Sequence, residues 1–586
     1  MECALRLRRL CFALSLLACA ASVPLHAQNA PPNTASPLPT LTTNAQAVAV
    51  DVVVTRGNND PVAGLHQQDF QIFEDGKPQA IDLFEEHTAP VNAPPTAPMQ
   101  LPPNVFSNLP LAPQSDAINV LLLDNLNTEP QDQINVRRQI ADFAGHMQPG
   151  TQVAVFVLGP KLQLAQGFTA DASILLAALS SKQFNTPPRP ITAMPTRSDQ
   201  ATEEMQQALM ATSAAKDAGG PAELQLKAID RGVQTLDALQ QLARYLAGIP
   251  GRKNLIWFAS AFPISIFPTA REQQEANRRP ELIGQMRETA GLLTASKVAV
   301  YPIDAQGIHV DRSTDADSSG SAQGDSFSRD AARDLVNRTS NSAAMDQLAS
   351  GTGGQAFYQS NNLSQSIASA IQNGSHYYTL VYTPPSAQMD GKYHRIEVKL
   401  VEGKANLAYR RGYYADSPST EAKAAKSTLQ ADPLPALLVN GLPASTQILY
   451  QARIVPIVPQ PVADAARAGG NGKLAGPLTR YKVDLIINPS TIKLDLAPDL
   501  MHNGKIEVAV IAYDQTGKPL NWTGETLGLT LNPASYAQVE RIGIPVHLQL
   551  DLPAEGLSLA TGVYDLAAHK AGTLEIALDA KSIAAQ

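Results

Sequence analysis

Side chains able to do chemistry are sparse in this sequence and poorly spaced for catalysis. The three cysteines, Cys3, Cys11 and Cys19, all lie at its start. The body that follows has no thiol for a disulfide, for metal ligation or for nucleophilic attack. The ten histidines, His26, His66, His87, His146, His309, His376, His394, His502, His547 and His569, are scattered, with no pair at metal-ligand spacing. No Gly-x-Ser-x-Gly elbow, phosphate-cradling Gly-x-x-x-x-Gly-Lys-Ser/Thr loop or His-Glu-x-x-His pair occurs. Glu85-Glu86 and Glu203-Glu204 read as exposed charge rather than acid–base pairs. Asp311, Asp315, Asp317 and Asp325 sit in a Ser/Gly-rich stretch without the offsets of a calcium loop, and read as solvated. The tyrosines Tyr377, Tyr378, Tyr409, Tyr413 and Tyr414 suit cross-strand packing; the functional alternative is an amphipathic contact surface.

Composition narrows the classes further. The chain has 586 residues, 44% hydrophobic and 17% charged, with a net charge of −8. No basic stripe runs along it, which argues against a nucleic-acid partner. Arg6, Arg8 and Arg9, the apolar run Leu10 to Ala21, and Leu25-His26-Ala27 before Gln28 form a secretory signal over 1–27, too short for a membrane span. Leu16-Leu17-Ala18-Cys19 also reads as a lipobox, and lipidation of Cys19 is the one route to a membrane. Both processings predict an exported protein: periplasmic, outer-envelope or secreted.

Patterning divides the rest. Residues 28–46, rich in Pro, Ala, Asn and Thr, read as a linker. Residues 47–87 form a β-module: Ala47 to Val54 is strand-like, and Asp69 to Gly76 alternates apolar with polar before a turn at Asp75-Gly76. The proline-rich 88–115 is a second linker. From 116 to 375, apolar runs alternate with helical periods. The runs are Asn119 to Leu123, Gln152 to Leu158, Leu255 to Phe258, Val298 to Ile303 and an edge strand at Gly353 to Tyr358. Between them stand Val136, Ile140, Phe143 and Met147, then Leu226 to Leu246, then Ile283 to Leu293, and finally Leu363, Ile367 and Ile371. This predicts a doubly wound α/β domain with a mostly parallel sheet, interrupted by an irregular insertion at 183–221 and a Ser/Asp/Gly loop at 309–330. Strands in 376–415 are expected to pair with 47–87 in one sandwich around the inserted domain, because each half alone leaves edges open. Residues 416–475 are a linker and mixed segment with one strand near Gln447 to Val455, and 476–586 a C-terminal β-sandwich.

Three segments carry a family resemblance: Asn119-Val120-Leu121-Leu122-Leu123-Asp124-Asn125-Leu126-Asn127-Thr128, Ile303-Asp304-Ala305, and Leu348 to Phe357 around Gly351-Thr352-Gly353-Gly354. With them, 118–371 resembles the von Willebrand factor A family. Val62-Ala63-Gly64-Leu65, Glu74-Asp75-Gly76, Asp390-Gly391-Lys392-Tyr393-His394 and Arg411-Gly412-Tyr413-Tyr414 make the flanks similar to a secreted acidobacterial version of it. The resemblance implies a divalent cation, Mg²⁺ or Ca²⁺, at the carboxyl ends of the strands. There Asp-x-Ser-x-Ser supplies hard oxygens and later loops add a Thr and a second Asp.

Against that pattern, Asp124 matches the first Asp and Thr128 replaces the last Ser, but Leu126 stands where the middle Ser belongs. Ser260 stands where the second Asp is usual. Thr169, Thr192 and Thr196 compete for the Thr, and Asp304 is a substitute carboxylate. The expectation is a degenerate metal site of Asp124, Thr128 and Asp304, with weak or no cation binding. Otherwise Asp124 is a cap for the helix near Glu129 or a loop hydrogen-bond hub. The resulting expectation is a non-enzymatic binding or adhesion protein with a protein ligand. A structural or assembly role in the envelope and an unrecognised hydrolase are the alternatives.

Overall fold

The computed structural model describes residues 47–57, 60–88, 101–109, 117–180, 221–262, 280–307, 341–358, 360, 362–384, 392–415, 433–457, 467–471, 474, 477–553 and 557–578. The leader, the 28–46 linker, nearly all of the 183–221 insertion and the 309–330 loop lie outside them.

The first strands are β1 (Val48–Arg56), β2 (Asp60–Pro61), β3 (Phe70–Glu74), β4 (Lys77–Gln79) and β5 (Leu83–His87). Asp75 and Gly76 join β3 to β4 with φ of 48° and 79°, both in the left-handed region that a two-residue hairpin turn requires. Along β1, Val48, Val50, Val52 and Val54 all turn inward, as the two-residue period dictates. A short strand, β6 (Val105–Ser107), follows.

The chain then enters an α/β unit. It contains β7 (Ala117–Asp124), α1 (Pro130–Gly145), β8 (Val153–Leu158), β9 (Leu162–Thr169), α2 (Ala172–Ser180), α3 (Pro221–Ala247), β10 (Arg252–Ala259), α4 (Pro280–Ala295) and β11 (Val298–Asp304). Helices α5 (341–352) and α6 (Leu363–Ser375) complete it. The sheet runs β11-β10-β7-β8-β9; the first four strands are parallel and β9 closes one edge antiparallel.

Strand β7 explains the layering. Ile118, Val120 and Leu122 pack with α3 and α4 on one face, while Leu121 and Leu123 pack with α1, α2 and α6 on the other. A strand covered on both faces favours apolar side chains on both, hence the run Val120 to Leu123 in the sequence.

At the other edge, 352–357 covers β11. Thr352 Oγ1 accepts from Val300 N at 2.9 Å, Phe357 N donates to Pro302 O, and Phe357 bridges Ile303 in parallel. The edge strand expected over Gly353 to Tyr358 is therefore reduced to this bridge and a loop.

Four more strands return to the first group: β12 (Tyr377–Tyr382), β13 (Tyr393–Leu400), β14 (Asn406–Ala408) and β15 (Gly412–Tyr414). One sheet is β14-β1-β12-β5, with β2 on β1; the facing sheet is β15-β13-β3-β4. Val48 pairs with Tyr382, and Glu74 with Ile396. The α/β unit is thus inserted between two halves of one sandwich. Its buried Arg252 donates to Gly353 O at 2.6 Å and to Tyr301 Oη at 3.4 Å, and stands over the Tyr377 ring.

The last region comprises α7 (Pro433–Leu437), β16 (Tyr450–Pro456), β17 (Leu478–Ile487), β18 (Asp495–Leu496), β19 (His502–Tyr513), β20 (Pro519–Leu531), α8 (Pro533–Ile542), β21 (Ile544–Pro553), β22 (Leu557–Asp565) and β23 (Lys570–Leu578). Its sheets are β21-β17-β16-β6 and β18-β19-β22-β23, the latter with β20 on β19. Two boundaries differ from the sequence reading. Tyr450–Pro456, read as part of a mixed segment before 476, belongs to this sandwich, and so does Val105–Ser107 from the stretch read as a proline-rich linker. Phe106 packs on the C-terminal core. Prolines around a three-residue edge strand hide it, because edges tolerate them.

Buried Asn108 fixes this strand. Its Nδ2 donates to Ser445 O at 2.9 Å and Ile448 O at 2.8 Å, and its Oδ1 accepts from Tyr450 N at 2.9 Å. Asn108→Ala orphans these backbone groups and is expected to destabilise the sandwich by roughly 2–3 kcal/mol. Urea unfolding followed through Trp522, on β20, measures this; an unchanged midpoint would mean the strand is dispensable.

Candidate functional site

Open α/β sheets place ligands beyond the carboxyl ends of their strands, and here that edge is built around Asp124. The residue ends β7 and is 1% exposed. Its Oδ1 accepts from Leu126 N at 3.1 Å and Asn127 N at 2.9 Å. Its Oδ2 accepts from Asn127 Nδ2 at 2.7 Å and Trp257 Nε1 at 3.0 Å. Helix α1 is capped by Glu129 without a side-chain bond, so Asp124 is the hub of its loop rather than a helix cap. Burial pushes the carboxyl up to about 6, against the pull of the hydrogen bonds from Asn127, Trp257 and Leu126.

The neighbours extend the network. Asn127 Nδ2 also reaches Thr235 Oγ1 at 2.9 Å on α3. Trp257 stands edge-on to Phe262. Ser260 Oγ donates to Asp132 Oδ2 at 2.8 Å, and Phe262 N donates to Asn341 Oδ1 at 2.8 Å. The indole of Trp257 and the amide of Asn127 are the site residues that sequence reasoning missed. A single tryptophan in an apolar strand reads as core, and only its register beside Leu122 brings its ring near Asp124.

The three sequence-predicted ligands are not drawn together. Thr128 Oγ1 is buried with no hydrogen-bond partner, the one atom here that a cation could satisfy. Asp304 ends β11, and its Oδ1 accepts from Gln306 N at 3.0 Å. Strand β10 lies between β7 and β11, so two strand spacings, roughly 10 Å, separate the two aspartates along the sheet. Thr169 Oγ1 accepts from Asp171 N at 3.0 Å; Thr192 and Thr196 lie outside the described residues. A hard cation needs about six oxygens around it. With both oxygens of Asp124 engaged by protein donors and Leu126 supplying hydrocarbon, these residues do not fit such an ion.

One hydroxyl–imidazole contact, His87 Nε2 to Thr379 Oγ1 at 3.0 Å, invites a catalytic reading. The hydroxyl donates instead to Asp51 Oδ1 at 2.8 Å and is buried, on the face of β12 opposite the sandwich core. A nucleophile must be open to its substrate, and this one is not.

No helix among the described residues is long and apolar enough to cross a membrane. No family model matches the chain, and no curated protein does. Among solved structures the chain is similar to an aerotolerance-related membrane protein from Bacteroides fragilis, at 12% identity and a TM-score of 0.21, over 43% of this chain and 98% of that one. It is also similar to a mutant of the PilB minor pilin from Streptococcus sanguinis, at 10% identity and a TM-score of 0.25, over 47% of this chain and 64% of that one.

Proposed function

We propose that this chain is an exported, non-enzymatic binding protein. Its doubly wound α/β domain, of von Willebrand factor A type, presents the carboxyl edge of its sheet to a protein partner without a bridging metal. The observation that carries the reading is Asp124: four protein donors saturate its carboxylate where a cation would sit. The carboxylate is spent on holding residues 125–128 in one conformation. A loop fixed in advance loses less entropy on association, which favours affinity.

The test places a photo-crosslinking residue at Glu129, on this edge, and for comparison at Gln148, before β8, or at Ile542, on the C-terminal sandwich. All three positions are exposed. In cells exporting the protein, a discrete adduct is expected from Glu129 alone, and chelator should leave it intact. Adducts only from Ile542 would favour the envelope-assembly reading, and an adduct lost on chelation would restore the metal.

A further inference from the structure

Away from the sheet edge, the β3–β4 turn meets β13 in a group of metal-competent side chains. Glu74, Asp75 and His394 place one ligand atom each within 4.8 Å of one another. His394 Nδ1 lies 2.9 Å from Asp75 Oδ2 and 3.8 Å from Glu74 Oε1. These two edges bracket the roughly 3.3 Å edge of a tetrahedron of N and O ligands around Zn²⁺.

An ordinary ion pair explains only part of this. A proton on Nδ1 serves Asp75 and does not reach Glu74. Its side chain is 7% exposed. Both neighbouring phenols, Tyr382 and Tyr413, donate to Oε2. Oε1 faces His394 Nδ1 at 3.8 Å, beyond hydrogen-bond reach. A cation between the three groups would be held by both carboxylates and the imidazole at once.

The surroundings also suit a metal. The phenols orient Glu74, Arg395 N donates to Asp75 Oδ1 at 2.9 Å, and Tyr413 stacks on the imidazole. Such outer partners are what hold ligands in place for a metal.

We propose that Glu74, Asp75 and His394 bind a single Zn²⁺ ion that clamps the β3–β4 turn to β13. An imidazole with two carboxylates suits Zn²⁺ and disfavours Mg²⁺ and Ca²⁺, which take oxygen. Asp75 is exposed, so a fourth position opens to water. Binding displaces the Nδ1 proton, so affinity falls as the pH is lowered.

The experiment is calorimetry of Zn²⁺, Mg²⁺ and Ca²⁺ into the full chain, purified without a polyhistidine tag, with Co²⁺ absorption as a second readout. One Zn²⁺ per chain is expected, with no heat from Mg²⁺ or Ca²⁺ at this site and Co²⁺ bands of a four- or five-coordinate ion. His394→Gln should abolish binding and Asp75→Asn weaken it at least ten-fold, while His87→Gln, on the same sandwich, leaves it unchanged. Circular dichroism matching wild type shows that the variants are folded. No Zn²⁺ bound by the wild type, or equal binding by His394→Gln, would overturn the proposal and leave the cluster as an ion pair.

Discussion

Gly354→Ala should destabilise the α/β domain by about 3 kcal/mol or more, because a Cβ there must displace backbone rather than a side chain. An added Cβ would stand 1.9 Å from Val300 O and 2.6 Å from Val300 C, on the edge strand of the sheet. The neighbouring Gly353 has φ of +82°, and a Cβ on it would lie 2.9 Å from Arg410 N. The Gly353-Gly354 pair thus lets one loop press on β11 and on the sandwich at once, and Gly353 O holds buried Arg252. In a Trp522→Phe background only one of the two tryptophans, Trp257, remains, and it reports unfolding of this domain alone. A Gly354→Ala midpoint equal to wild type would mean that the loop does not pack on Val300 as described.

Asp124→Ala is expected to cost roughly 3–5 kcal/mol, since it leaves the indole N–H, two backbone N–H groups and an amide without their buried acceptor. The pH dependence has a definite sign. The folded carboxyl is raised from 3.8 to about 6. Its contribution is therefore fully present below pH 3.8 and is lost as the pH rises through about 6. The shift corresponds to roughly 3 kcal/mol. Stability of the wild-type domain should fall between about pH 4 and 6.5 through this group, and Asp124→Asn should remove that step. Unfolding midpoints across this range, read from Trp257, decide it; identical slopes in the two proteins would place the titration elsewhere.

The sequence makes some of this visible and hides the rest for physical reasons. Strands buried on both faces advertise themselves: Val120 to Leu123, Leu255 to Phe258 and Val298 to Ile303 are almost wholly apolar, and the buried Asn119 before the first is paired with Gln152 O and Asn254 Nδ2. Leu162–Thr169 escapes because one flank of an antiparallel edge strand is free, so Gln163, Gln166 and Gly167 are tolerated. Val105–Ser107 escapes because its partner is more than three hundred residues away and its flanks are prolines.

The candidate site divides in the same way. Asp124 is visible as a carboxylate at the end of a buried strand, but the donors that saturate it come from the next loop and from a tryptophan on β10, the neighbouring strand of the sheet. Asp304 shares the sheet edge with it and is kept apart by the width of β10. Glu74, Asp75 and His394 meet because β3 and β13 pair; the sequence shows the turn at Asp75-Gly76 and the expected pairing of 376–415 with 47–87, but not the register that brings these three together.

The most direct test of the metal-independent edge is the emission of Trp257 in the Trp522→Phe protein, titrated with Mg²⁺ and Ca²⁺ at pH 7.5. Its indole N–H is bonded to Oδ2 of the carboxylate that a cation at Asp124 would have to share. No change is expected with either ion, and a transition is expected with pH near 6. A saturable change at or below millimolar Mg²⁺, absent from Asp124→Ala, would contradict it and make metal-bridged recognition the mechanism.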